Sequence, residues 1–158
     1  MEKFYILDTC SFYSYCLKYL SIFTDKDLSL TENALTELYA AFHDNDGNIK
    51  IIIPSVIFIE IFDHYFNNEE FINRFKYEVY TRIISEENNS KIAIVDIDQE
   101  ILENLSYCYT DEINVDLHDK LIIATALKYK DKNTTLYTSD QRIKKIQRKN
   151  FLNITIKN

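Results

Sequence analysis

FYILDTCS, residues 4–11, runs four apolar residues straight into a carboxylate, Asp8. An apolar run this short, with no polar alternation, reads as a strand covered on both faces, the pattern of a parallel sheet rather than a half-exposed antiparallel one. A charge at the mouth of such a strand must be compensated by a cation, a helix N-terminus or hydrogen bonds. Asp8 therefore poses the question that the rest of the chain has to answer.

Further apolar runs follow at IKIIIP (49–54), KIAIVDI (91–97), TTLYTS (134–139) and FLNITI (151–156). Between them lie segments of helical period. SFYSYCLKYL reads as a helix capped by Ser11, and Ser29-x-x-Glu32 reads as a capping box for a helix with Leu35, Leu38, Tyr39 and Phe42 on one face. The turn Asp44 to Gly47 ends that helix, with the only glycine where a left-handed residue is wanted. VIFIEIFDHYF leaves the second strand after Pro54, Asn67 and Asn68 break it, and EEFINRFKYEVYTRIIS continues. Asp98 caps QEILENLSYCY, an acidic loop TDEINVD leads into LHDKLIIATALKYK, and Asp140 opens a short basic helix. Strands alternating with helices predict an α/β fold: one domain over residues 1–158, a three-layer α/β/α sandwich around a mostly parallel central sheet of four to five strands.

The composition suits that prediction. In 158 residues, 46% are hydrophobic and 27% charged, which is a globular profile with enough chain for one core. The N-terminus shows no apolar leader and no run reaches the length of a membrane span, so a cytoplasmic protein is expected. Cys10, Cys16 and Cys108 are odd in number and lack CxxC spacing, which reads as reduced thiols. A net charge of −7 argues against a protein that coats nucleic acid by bulk attraction, though not against an enzyme that acts on it through bound cations. Basic residues gather late, at Arg142, Lys144, Lys145, Arg148 and Lys149, as either a solvated helix face or a phosphate-binding patch.

Strand and helix polarity then brings four acids to one edge. Asp8 and Asp140 end the first and fourth strands, Asp119 lies in the first turn of the helix feeding the fourth, and Glu60 lies about 8 Å into the helix leaving the second. All four can meet at the carboxyl ends of the strands, where open α/β sheets bind ligands. Each has a plainer reading: Asp8 as the cap of its own helix, Asp119 and Asp140 as acids at helix N-termini, Glu60 in an ion pair. No Lys or Arg is evident among them in these motifs. Two carboxylates about 5 Å apart repel by roughly 3 kcal/mol at an effective dielectric near 20, so the set calls for Mg²⁺ or Mn²⁺. His43, His64 and His118 show no zinc-binding spacing.

Taken together, LDTCSF around Asp8, IPSVIFIEIF around Glu60, LHDKLIIATAL around Asp119 and LYTSDQRI around Asp140 resemble the PIN-domain nucleases, most of all the VapC-like toxins of VapBC toxin–antitoxin pairs. The resemblance implies a PIN-like sandwich and an Mg²⁺- or Mn²⁺-dependent endoribonuclease with Asp8, Glu60, Asp119 and Asp140 as metal ligands. It also implies a homodimer and a cognate antitoxin. Cys10 departs from the pattern, standing where many members carry Asn. Thr9, Ser11, Thr138 and Ser139 are candidate hydroxyls around the acids or the scissile phosphate. Arg142, Lys144, Lys145 and Arg148 are candidates for the RNA backbone, and Tyr137 for either base stacking or the core. Three rival readings are a catalytically idle interaction module of the same fold, an RNA-maturation nuclease without an antitoxin, and a phosphatase of the haloacid dehalogenase type. The last wants a second Asp where Cys10 stands.

Overall fold

The computed structural model describes residues 2–22, 29–44, 46–65, 68–85, 91–109, 113–150 and 152–158. Strand β1, Lys3–Leu7, lies at the centre of a five-stranded sheet. It pairs in parallel with β2, Ile49–Pro54, on one side and with β4, Thr134–Tyr137, on the other. Strand β3, Ile92–Val95, adds to β2 and β5, Thr155–Lys157, adds to β4, giving the order β3-β2-β1-β4-β5 with every pair parallel. Phe4, Tyr5, Ile6 and Leu7 are all buried, as a strand covered on both faces requires.

Helix α1, Thr9–Tyr15, starts one residue after β1 ends and passes into a π-helical turn, Cys16–Leu20. Its cap is Asp8, which accepts from the Ser11 amide at 2.7 Å, and not the expected Ser11. The reason is spacing: a carboxylate three residues ahead reaches that amide, and the Ser11 hydroxyl turns to donate to the Tyr137 carbonyl at 2.5 Å. A similar shift occurs at α2, Glu32–Phe42, where Thr31 accepts from the Ala34 amide. Glu32 is then the first helical residue and pairs with Lys18, while the Ser29 hydroxyl meets that of Ser14. Gly47 has φ +68°, as the turn predicted.

Helix α3, Val56–Tyr65, leaves β2, and Asn68 caps α4, Glu69–Phe75, which runs on as a π-helix over Lys76–Ile83 to bury Val79 and Ile83. Asn67 and Thr110 to Glu112 of the acidic loop lie outside the described residues. Asp98 caps α5, Gln99–Asn104, as expected, and a 3₁₀ turn follows over Leu105–Cys108. Helix α6, Leu117–Lys128, is capped by Asp116, and α7, Gln141–Lys149, by Asp140.

The strand order fixes where a site can form. From β1 the chain moves outward to β2 and β3, then returns across the sheet to β4 and β5. With right-handed crossovers, α1 to α4 cover one face and α5 to α7 the other. The direction reverses between β1 and β4, and at such a reversal open α/β sheets bind ligands in the crevice outside the carboxyl ends of the strands. No helix among the described residues is long and apolar enough to cross a membrane.

Candidate active site

Asp8 and Asp140 stand on the two strands that flank this reversal. The Asp8 amide donates to the Tyr137 carbonyl at 3.2 Å, extending the β1–β4 ladder by one step. Asp8 is only 3% exposed, and burial pushes its carboxyl above the usual range. Hydrogen bonds from Cys10, Ser11 and Thr138 pull the other way without cancelling that rise. The Cys10 thiol lies 2.9 and 3.1 Å from the two Asp8 oxygens and 3.1 Å from the Ser139 hydroxyl. Burial and the adjoining carboxylate hold that thiol protonated, with a pKa of about 12, so it serves as a donor and not a nucleophile.

Glu60 joins through its neighbour: the Thr9 hydroxyl donates to Glu60 Oε2 at 2.6 Å. Thr138 accepts from the Asp140 amide at 3.0 Å, tying the end of β4 to the start of α7. The four expected hydroxyls are all engaged: Thr9 on Glu60, Thr138 between Asp8 and Asp140, Ser139 on Cys10, and Ser11 on the β4 backbone.

Asp119 is also strongly perturbed. Its pKa is raised to about 7, first by burial, then by the charges of Asp116 and Asp140, and finally by Asp8; Arg142 opposes the rise but is outweighed. Asp116, which caps α6 by accepting from the Asp119 amide at 2.9 Å, is the acid that sequence reasoning missed. Its signal was there, an Asp three residues before Asp119 at a helix start.

Arg142 corrects the expectation that no basic side chain enters. Its Nε donates to both Asp140 oxygens at 3.1 and 2.9 Å, and its Nη2 to Asp140 Oδ2 at 2.5 Å and Asp119 Oδ2 at 3.1 Å. Burial works against the Asp140 charge, yet the Arg142 contacts hold its carboxyl below the usual range. The guanidinium favours Asp140, leaving Asp119 short of positive charge. The other basic residues stand elsewhere. Helix α7 runs away from the crevice, Lys144 is half-buried, and Lys145 and Arg148 are exposed toward its far end, up to roughly 9 Å along the axis. Tyr137 is 0% exposed and tilts against the Tyr5 ring at 5.1 Å, which excludes base stacking.

A hard divalent cation suits this donor set, which consists of carboxylate oxygens around a half-buried acid of unmet charge. As placed, however, no three His, Cys, Asp or Glu side chains among the described residues gather closely enough to hold one. Asp119 also makes a measurable prediction for the cation-free protein. A carboxyl whose folded pKa exceeds its unfolded value binds its proton more tightly when folded, so stability falls as pH rises from about 4 to about 7 and levels off above that. Urea midpoints in EDTA should show this decline, and Asp119→Asn should flatten it.

The sequence matches no family model and no curated protein. Among solved structures it is similar to a chain of VapBC2 from Rickettsia felis bound to a DNA fragment from their promoter. The TM-score is 0.60 at 18% identity, over 98% of both chains. It is also similar to a chain of FitAcB from Neisseria gonorrhoeae, with a TM-score of 0.61 at 16% identity, over 98% of this chain and 96% of that one. The likeness is one of fold.

The resemblance to PIN-domain nucleases and VapC-like toxins is therefore corrected. What the chain resembles is a chain of the VapBC2 and FitAcB structures, at an identity that carries the fold alone. Local physics explains why the motifs misled. Asp8, Asp116 and Asp140 each cap a helix, so a parallel sheet with this strand order places acids at this edge whatever its family.

Proposed function

We propose that the chain is the nuclease of a toxin–antitoxin pair, hydrolysing RNA phosphodiester bonds with Mg²⁺ or Mn²⁺ at the crevice outside β1 and β4. The observation that carries this reading is the Asp119 carboxyl, raised to about 7 first by burial and then by the charges of Asp116, Asp140 and Asp8, a rise that Arg142 opposes without offsetting. Such a crevice is costly unless a cation completes it. Asp8, Glu60, Asp119 and Asp140 would hold the ion. When bound, it lowers the pKa of a water and offsets charge on the phosphate. Asp8 is held in place by Ser11, Cys10 and Thr138, and Glu60 by Thr9, so two of the acids need little reorganisation. Lys145 and Arg148, exposed on α7, would meet RNA phosphates beyond the crevice. The association with a partner protein follows the toxin–antitoxin character of the structural neighbours.

The test uses purified protein, structured RNA and 1-to-1 comparisons of added Mn²⁺ against EDTA. Cleavage only with Mn²⁺ is expected. Equal cleavage in both, or none in either, would overturn the assignment.

A further inference from the structure

The side chain of Arg142 is half in solvent while the two carboxylates it bridges are largely covered, with side-chain exposures of 51% against 18% for Asp119 and 20% for Asp140. Its backbone is fixed. Helix α7 is anchored by Ile143 and Ile146, both 0% exposed, and the Arg142 amide donates to Asp140 Oδ1 at 2.7 Å. The guanidinium can therefore leave by rotation of its own side chain, with no movement of the helix.

We propose that Arg142 is a resident counter-ion that competes with the divalent cation for Asp119 and Asp140, so that metal enters only as the guanidinium swings out. The geometry explains why no three-donor cluster is assembled: Arg142 takes up the faces of Asp119 and Asp140 that would otherwise turn toward an ion. Its Nε and Nη2 take up both Asp140 oxygens and Oδ2 of Asp119, oxygens that an octahedral cation would need. A bridging pair this exposed is weak enough to be displaced and strong enough to be felt. Half-occupancy, and with it half-maximal activity, would then need a higher divalent concentration than the acids alone dictate.

This inference rests on the crevice being a divalent-cation site, and the experiment separates the two. Mn²⁺ binding to the full chain is followed by the loss of the free-ion electron paramagnetic resonance signal in the native protein, Arg142→Gln and Arg142→Lys, with melting temperature measured in parallel. Arg142→Gln should bind Mn²⁺ about three- to tenfold more tightly than the native chain, and melt at a lower temperature in EDTA. Arg142→Lys, a point charge that cannot fork, should fall between. Equal or weaker binding in Arg142→Gln would overturn the competition while leaving the cation site intact. Absence of Mn²⁺ binding in all three chains would overturn the site itself, and the competition with it.

Discussion

Asp8→Asn is expected to reduce Mn²⁺-dependent RNA cleavage by about 100-fold or more while leaving the fold in place. The lower bound follows from what lesser changes do. Removing an outer hydrogen-bond partner of a metal ligand already costs about 10–100-fold, so loss of the central ligand's charge should cost at least that. The fold should survive because Asn is as good a helix cap as Asp, and its side-chain oxygen can still accept from the Ser11 amide. What changes is the charge and the contact with Cys10, whose thiol now donates to the Asp8 oxygens. A buried carboxyl already pushed toward its neutral form loses little stability on becoming an amide. The measurement is initial cleavage rate under saturating Mn²⁺, paired with a urea midpoint. Unchanged cleavage would remove Asp8 from the chemistry. A large fall in midpoint would mean that its role is to hold the fold.

The sheet was legible in the sequence because its signals are redundant. Phe4 to Leu7, Ile51 to Ile53 and Thr134 to Tyr137 are apolar or β-branched runs of strand length, and the parallel pairing follows from the helices between them. Caps were less legible. At Ser11 and Ser29 the expected residue was a competent cap, but Asp8 and Thr31 were better placed. Which of two neighbouring oxygens reaches an amide depends on the backbone angle at the strand exit, which residue type does not encode. Topology brought Asp8, Asp119 and Asp140 near enough for their charges to act on one another, and their partners were not legible. Arg142 lies two residues after Asp140 and was assigned to RNA because basic residues dominate its helix. Nothing in a run of basic residues distinguishes the one in the first helical turn, where the axis begins at the crevice, from those that follow. Asp116 was passed over for a related reason, as part of an acidic loop and not as the cap that sets the charge around Asp119. Family resemblance failed at the same point, since caps and ligands are drawn from one residue type.

Phe12→Ala is expected to destabilise the protein by about 3–5 kcal/mol, a large fraction of the roughly 5–15 kcal/mol that holds a domain together. Phe12 is 0% exposed on α1, and its ring meets that of Phe58 on α3 edge-on, with centroids 5.7 Å apart and planes at 61°. The same two helices carry the Thr9–Glu60 hydrogen bond, with Thr9 three residues before Phe12 and Glu60 two residues after Phe58. Truncation leaves a cavity between α1 and α3 that the flanking strands cannot close, because β1 and β2 are tied by their ladder. The loss should therefore reach the site. Urea unfolding should show the fall in midpoint with an unchanged slope. At a urea-free temperature where the variant remains folded, Mn²⁺ binding should also weaken, since Glu60 no longer sits on a fixed helix. If Mn²⁺ affinity were untouched despite the lost stability, Glu60 would not belong to the cation site, and the ligand set would contract to the three acids around β1 and β4.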